Sequence, residues 1–209
     1  RPFMPCPGDM APGVLNGPRW VACLMHCEKL TRSDLSETVN VLQRSLANWT
    51  VESDEILWYV MEFLTHNSSR ILIGVVDKRD IMTMRIAESS DASLANIRGF
   101  KSSAAYNHHL WGPNGTWVPL AWKTKTLNGV VTSTSRAETG AKKLSVDQAD
   151  FLRCVLQECT GYHVGVDGVG DNMASLHCLY KGGFTSKTAQ LHGAEISDFY
   201  CSPLNSLSH

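Results

Sequence analysis

Three carboxylates, Asp91, Glu138 and Asp171, stand where a metal-dependent hydrolase would need them. Asp91 lies in Ser89-Ser-Asp-Ala-Ser, just past an apolar run that reads as a strand. Asp171 lies in Gly170-Asp-Asn before a helical pattern, and Glu138 opens a long amphipathic stretch. Hard divalent cations such as Mg²⁺ take oxygen ligands in octahedral geometry. Carboxylates shared between two ions about 4 Å apart clamp the attacking and leaving oxygens of a phosphodiester. Acidic residues at loop mouths are also commonly just solvated. Glu138 has a further reading, since Ser135 and Glu138 fit an S-x-x-E capping box in which each side chain satisfies an amide of the helix start.

These residues need elements to hold them. From Ala137 the apolar positions Ala141, Leu144, Phe151, Leu152, Val155 and Leu156 make one helical stripe, which carries a helix to about Glu158. Before it, Arg70 to Val76 and Ile81 to Ala87 read as strands parted by the polar turn 77–80. Ala104 to Trp111 and Thr116 to Thr124 read as a second pair, joined by Gly112-Pro-Asn-Gly115, a hairpin signal. After it come a strand at about Tyr162 to Val166 and a last helix from Asn172 to about Lys181. The pattern predicts an α/β fold, a mixed sheet with helices packed on it.

The first third of the chain differs. A helix from Trp20 to Leu30, one with Leu35, Val39, Leu42 and Leu46 on its apolar side, and one with Ile56, Leu57, Val60, Met61 and Leu64 make a helical layer with no catalytic constellation. Thr31-Arg-Ser-Asp34 is placed to cap the second. Residues 1–18, rich in Pro and Gly, read as a disordered leader, residues 19–68 as the helical segment and residues 69–209 as the α/β domain.

Composition narrows the classes. A chain of 209 residues buries roughly 70% of its unfolded surface and needs no staples to fold. The seven cysteines are odd in number and form no framework, which suits a reducing, intracellular setting. Cys23-Leu-Met-His-Cys27 resembles a metal knuckle, but no second pair follows, and the two cysteines fall on an apolar helical face with Leu24. No run of about 18 apolar residues is present, so no membrane partner is expected. The N-x-[ST] triplets at Asn48, Asn67 and Asn114 lack a secretory context. A net charge of −1 argues against a basic nucleic-acid coat, although Lys123, Lys125, Arg136, Lys142 and Lys143 are able to follow a phosphate backbone. His108 and His109 read as a surface or strand-edge pair.

The motifs also resemble a family. Leu30-Thr-Arg-Ser-Asp-Leu35 is similar to the T-R-P-D-[IL] that follows the polymerase in copia-type retrotransposon polyproteins. Ser90-Asp-Ala-Ser-Leu-Ala95 resembles their D-A-D-W-A, and Lys101-Ser-Ser-Ala-Ala-Tyr106 their R-S-T-S-G-Y. Val118-Pro-Leu-Ala-Trp-Lys-Thr-Lys125 resembles I-S-W-x-S-K, Thr132-Ser-Thr-Ser-Arg-Ala-Glu138 resembles S-T-A-E-A-E, Phe151-Leu-Arg falls at W-L-R, and Asp171-Asn172 matches D-N. The matches run in one order from about residue 19 to residue 196.

That region of the family is a connection segment followed by a ribonuclease H domain. The resemblance therefore implies a ribonuclease H-like mixed sheet, two Mg²⁺ ions (or Mn²⁺) held by Asp91, Glu138 and Asp171, and hydrolysis of the RNA strand of an RNA–DNA hybrid. It also implies the reverse transcriptase portion of the polyprotein as partner, and the cytoplasm or a virus-like particle as location. Ser93 departs from the second Asp of D-A-D, and the fourth acidic position has no clear match, Glu195 and Asp198 lying beyond it. These departures keep open an alternative, a catalytically decayed copy that binds nucleic acid or is inert. Asp167 competes with Asp171 as third ligand. Four extended residues separate them by roughly 13 Å, so only one of them reaches an ion shared with Asp91.

Overall fold

The computed structural model describes residues 12–97 and 100–169, which fall into two compact units parting between Leu72 and Ile73. In the first unit, α1 (Gly17–Leu30), α2 (Ser36–Ser45) and α3 (Val51–His66) bury Val21, Leu24, Leu35, Val39, Leu42, Leu57 and Val60 in one core. The stripe at i, i+4 and i+7 in α2 is what turns inward. Thr50 and Ser53 close a capping box at the start of α3.

Three expectations for this unit change. Residues 13–17 belong to the fold, because the buried Asp54 carboxylate accepts from the amides of Val14 (2.6 Å) and Leu15 (3.2 Å) and from Trp49 Nε1 (2.6 Å). The Trp49 ring lies so close that a Cβ on Gly17 would meet it at 2.4 Å. Thr31 to Asp34 does not cap α2; Asp34 takes the Arg32 guanidinium instead (3.0 and 2.9 Å), and a 3-10 turn over Ser33–Leu35 leads into the helix. In α1 the buried side is Val21, Leu24 and Glu28, whereas Cys23 and Cys27 are exposed, so the cysteines do not share the apolar face.

Among the described residues, the second unit holds a four-stranded mixed sheet in the order β3-β2-β1-β4, with α4 packed on one side. β1 (Arg85–Ile97), β2 (Lys101–Trp111) and β3 (Trp117–Val130) form an antiparallel meander; α4 (Thr134–Thr160) crosses over, and β4 (Gly165–Val169) returns parallel to β1. The left-handed Gly161 (φ 71°) closes α4 where a side chain would be strained. The last predicted helix lies outside the described residues.

Residues 70–76 do not form the expected strand. Only Val75 pairs, in an isolated bridge to Trp117 with both bonds at 2.8 Å. The first strand begins later because Asp80, fully buried, is committed to a turn. Its carboxylate accepts from the Asn114 amide (3.1 Å) and side chain (2.7 Å) and from the Thr116 amide (3.1 Å), which ties the turn to the β2–β3 connection. β1 then runs through polar Ser89 to Ser93, where pairing with β2 outweighs local propensity.

Candidate active site

The side of the sheet that meets α4 is set by the strand period. Ile86 and Glu88 on β1, and Ala104, His108 and Leu110 on β2, are buried there, opposite Ala137, Ala141, Ser145 and Ala149 of α4. The β1–β2 register is regular from Arg85 to Ser93, so even positions of β1 face α4 and odd positions face away. Asp91 is odd. It is exposed, and its Oδ1 accepts from the adjacent Ala92 amide at 2.7 Å.

Glu138 is held on α4, one turn before Lys142. Lys142 contacts Glu88 and Ser145 contacts His108, and α4 leads to β4, whose start pairs with the start of β1; the helix therefore runs against the direction of β1. One helical turn rises about 5.4 Å, the span of about two strand residues, which sets Glu138 level with Ser90. Asp91 and Glu138 thus lie at nearly the same height but on opposite faces of the sheet.

The capping role expected of Glu138 does not hold. Ser133 is the N-cap, its side chain accepting from the Arg136 amide at 3.3 Å, and Glu138 lies beyond the first turn. Ser135 is inside the helix, where its carbonyl accepts from Thr139 Oγ1 (2.8 Å). The hydroxyl-rich run offers several candidate caps, and the chain uses the one with extended backbone, φ −148° and ψ 152°.

Asp171, Glu195 and Asp198 lie outside the described residues. The strand leading to Asp171 is described: β4 pairs with β1 from Arg85 with Gly165 to Ser89 with Val169, a constant separation of 80 positions. Asp167 is level with Ala87, well short of Asp91 along the sheet. Its carboxylate is occupied by the Arg85 guanidinium (2.8 and 2.6 Å) and by Trp111 Nε1 (3.1 Å).

A polar cluster that was not predicted fills the sheet–helix interface. Glu88 is 1% exposed and bonded to the Lys142 ammonium, and its cross-strand neighbour His108 is 0% exposed. His108 Nε2 donates to the Ser145 carbonyl at 3.0 Å, and burial pushes its pKa down. His108 is therefore a core residue and not half of a surface pair, while His109 stacks on Trp117 with ring centroids 4.1 Å apart. Lys142 likewise leaves the expected phosphate-tracking set, in which Lys123 and Lys125 on β3 are exposed. Glu88 was findable: in the period-2 run Ile86-Ala87-Glu88 it shares the inward side with Ile86.

Among the described residues no group of three His, Cys, Asp or Glu side chains is arranged to hold a metal ion. Asp91 lies on the side of β1 turned away from α4, and Glu138 lies on α4 itself. No described helix is long and apolar enough to cross a membrane.

No family model and no curated protein matches the chain. Among solved structures it is similar to the RNase H1 of the halophilic archaeon Halobacterium salinarum NRC-1, at 16% identity and a TM-score of 0.38 over 58% of this chain and 77% of that one. It is also similar to LC11-RNase H1 from compost, at 15% identity and a TM-score of 0.40 over 57% and 79% of the two chains. The same enzyme in complex with an RNA/DNA hybrid aligns at a TM-score of 0.35. At these scores the overlap is partial, and the functional reading rests on the chain's own residues.

Proposed function

We propose that the second unit is a ribonuclease H-like domain of a copia-type element, acting on the RNA strand of an RNA–DNA hybrid beside the reverse transcriptase portion of the same polyprotein. One observation carries the reading beyond the order of the motifs. The parallel register between β1 and β4 is 80 positions, and Asp91 and Asp171 are themselves 80 positions apart. Asp167, spent on Arg85 and Trp111, is the weaker candidate for third ligand. On this reading Asp91, Glu138 and Asp171 are the acidic residues of the site and Mg²⁺ is the cofactor. Selectivity for RNA would come from contacts to 2′-hydroxyls across a wide minor groove.

A second reading, a domain that keeps the fold and has lost catalysis, is favoured by the placing of Asp91 on the face away from α4 and by Ser93 in place of an aspartate. One experiment separates the two. The full chain is given a labelled hybrid and the same RNA strand alone, each with Mg²⁺ and with EDTA. Cleavage of the hybrid only, lost in EDTA and in Glu138→Gln, supports the nuclease. Hybrid binding without cleavage, or neither binding nor cleavage, supports the decayed copy, and cleavage of the lone RNA strand as readily as of the hybrid overturns both.

A further inference from the structure

The dipeptide Asn-Gly occurs at Asn16-Gly17, Asn114-Gly115 and Asn128-Gly129. In this dipeptide the glycine amide nitrogen attacks the asparagine side-chain carbonyl carbon with no Cβ in the way. The new N–C bond closes a succinimide ring and the side-chain nitrogen leaves as ammonia. Water then opens the ring at either carbonyl, giving aspartate or isoaspartate, and no oxidant or reductant is consumed. The attack is intramolecular, so its rate depends on whether nitrogen and carbon come within about 3–3.5 Å of each other.

The fold restrains two of the three pairs. Asn16 caps α1: its Oδ1 accepts from the Arg19 amide (3.3 Å), the Gly17 amide donates to the Leu15 carbonyl (2.9 Å), and Gly17 is buried against the Trp49 ring. Asn114 is held in the β2–β3 connection. Its Nδ2, the leaving group, donates to the buried Asp80 carboxylate (2.7 Å), and the Gly115 amide donates to the Gly112 carbonyl (3.2 Å). In both pairs separate hydrogen bonds fix the nucleophile and the side chain it would attack.

Asn128 lacks such restraint. The β2–β3 register passes from Ser103 with Thr126 to Lys101 with Val130, so residues 127–129 stand against Ser102 alone and form a bulge. Asn128 and Gly129 are exposed, Gly129 takes a left-handed φ of 78°, and a Cβ on it would meet nothing within 4 Å. Among the described residues the Asn128 side chain has no hydrogen-bond partner. Both flanks of this loose peptide are anchored: Leu127 packs on α4, where a Cβ on Gly140 would lie 3.5 Å from its Cδ2, and Val130 pairs with Lys101.

We propose that Asn128-Gly129 is a spontaneous modification site, at which Asn128 becomes aspartate or isoaspartate in the folded protein. The product places a negative charge, and in isoaspartate an extra backbone carbon, between the Leu127 contact with α4 and the last β2–β3 pair. The inference is independent of the nuclease reading, since it uses none of Asp91, Glu138 or Asp171.

The test ages the full chain in mildly alkaline buffer, folded and in urea. Conversion at each asparagine is followed by peptide mass spectrometry, with fragmentation that tells aspartate from isoaspartate. In the folded chain Asn128 is expected to convert at least about ten-fold faster than Asn16 or Asn114, whose hydrogen bonds must open before either reacts. In urea the three rates are expected to converge, because unfolding removes those bonds. Asn128→Gln, whose longer side chain closes a ring far more slowly, is expected to abolish the early acidic species seen on ion exchange. Equal rates at the three sites in the folded chain overturn the proposal, as does an early acidic species that survives Asn128→Gln. A difference that persists unchanged in urea comes from neighbouring residues and not from the fold, and overturns it as well.

Discussion

Ser133→Ala and Glu138→Gln, taken together, test which residue starts α4 and whether Glu138 has a part in holding it. Ser133 satisfies the Arg136 amide at 3.3 Å, a group with no partner inside the helix. Its loss is expected to cost about 0.5–2 kcal/mol, the usual range for an N-cap replaced by alanine. In a chain of this size each kcal/mol lowers the melting temperature by about 2–4 °C. Ser135 sits inside the helix, where alanine is the better helix former, so Ser135→Ala is expected to be neutral or slightly stabilising. Glu138 is half-buried on α4 beyond its first turn, and Glu138→Gln removes a charge but no cap; its cost should stay below about 1 kcal/mol, as for a surface ion pair. The assay is thermal unfolding by circular dichroism, with amide exchange at Arg136 as a local readout. That amide should exchange faster in Ser133→Ala and not in Glu138→Gln. If Ser135→Ala destabilises more than Ser133→Ala, the cap has been misassigned. If Glu138→Gln destabilises as much as Ser133→Ala, Glu138 is a structural residue, and loss of activity in that variant says nothing about a metal.

Three other contacts make equally definite demands. Leu42 is fully buried in the first unit, so Leu42→Ala should cost about 2–5 kcal/mol in chemical denaturation, and an unchanged midpoint would show that this core is not packed as described. A Cβ on Gly112 would lie 2.4 Å from Asp80 Cγ, and Asp80 is held in place by Asn114 and Thr116; Gly112→Ala should destabilise by about 1–3 kcal/mol, and a neutral result would mean the turn at 77–80 is free to shift. Hydrogen bonds from the Arg79 side chain, then from its amide, hold Asp77 down to about 2, so the unfolded chain binds this proton more readily and the stability Asp77 contributes is present above the ordinary carboxylate range and lost as pH falls toward 2. Melting measured between pH 5 and 2.5 should fall less steeply in Asp77→Asn than in the wild type, and parallel curves would show that Asp77 has no share in the acid sensitivity.

The parts of this fold legible in the sequence are those with a strong period. The stripe of Leu35, Val39 and Leu42 at α2, though not its predicted last member Leu46, which is exposed beyond the helix end, the Gly112 to Gly115 connection and the long amphipathic run of α4 are each specified by residues close together in the chain. The errors come from contacts between distant residues. Arg70 to Val76 has the composition of a strand, yet only Val75 finds a partner, because the neighbouring turn is fixed by Asp80 reaching 34 positions ahead to Asn114. Asp34 looks like a cap until Arg32 takes its carboxylate. Ser133, Ser135 and Glu138 present overlapping capping signals, and only the backbone of Ser133 decides between them.

The face on which Asp91 lies was out of reach for a different reason. Side chains alternate with a period of two, so a shift of one residue moves a whole strand's set to the other face, and sequence alone leaves that parity open wherever polar residues fill both sides. Ser89-Ser-Asp-Ala-Ser is such a segment. Its parity is set upstream, by Ile86 and Glu88 at the α4 interface, and it is carried without interruption through Ser93 by pairing with β2. A rotamer change cannot undo it, because the two carbons of an aspartate side chain do not reach through the sheet. Turning Asp91 toward Glu138 takes one extra residue in β1 between Glu88 and Asp91, a bulge, which would leave the buried Glu88 where it is and re-aim only the residues beyond it. The nuclease reading therefore carries a structural demand as well as a chemical one: Asp91 and Glu138 must reach one ion from different elements, and a bulge between Glu88 and Asp91 is the change in β1 that would aim Asp91 toward α4.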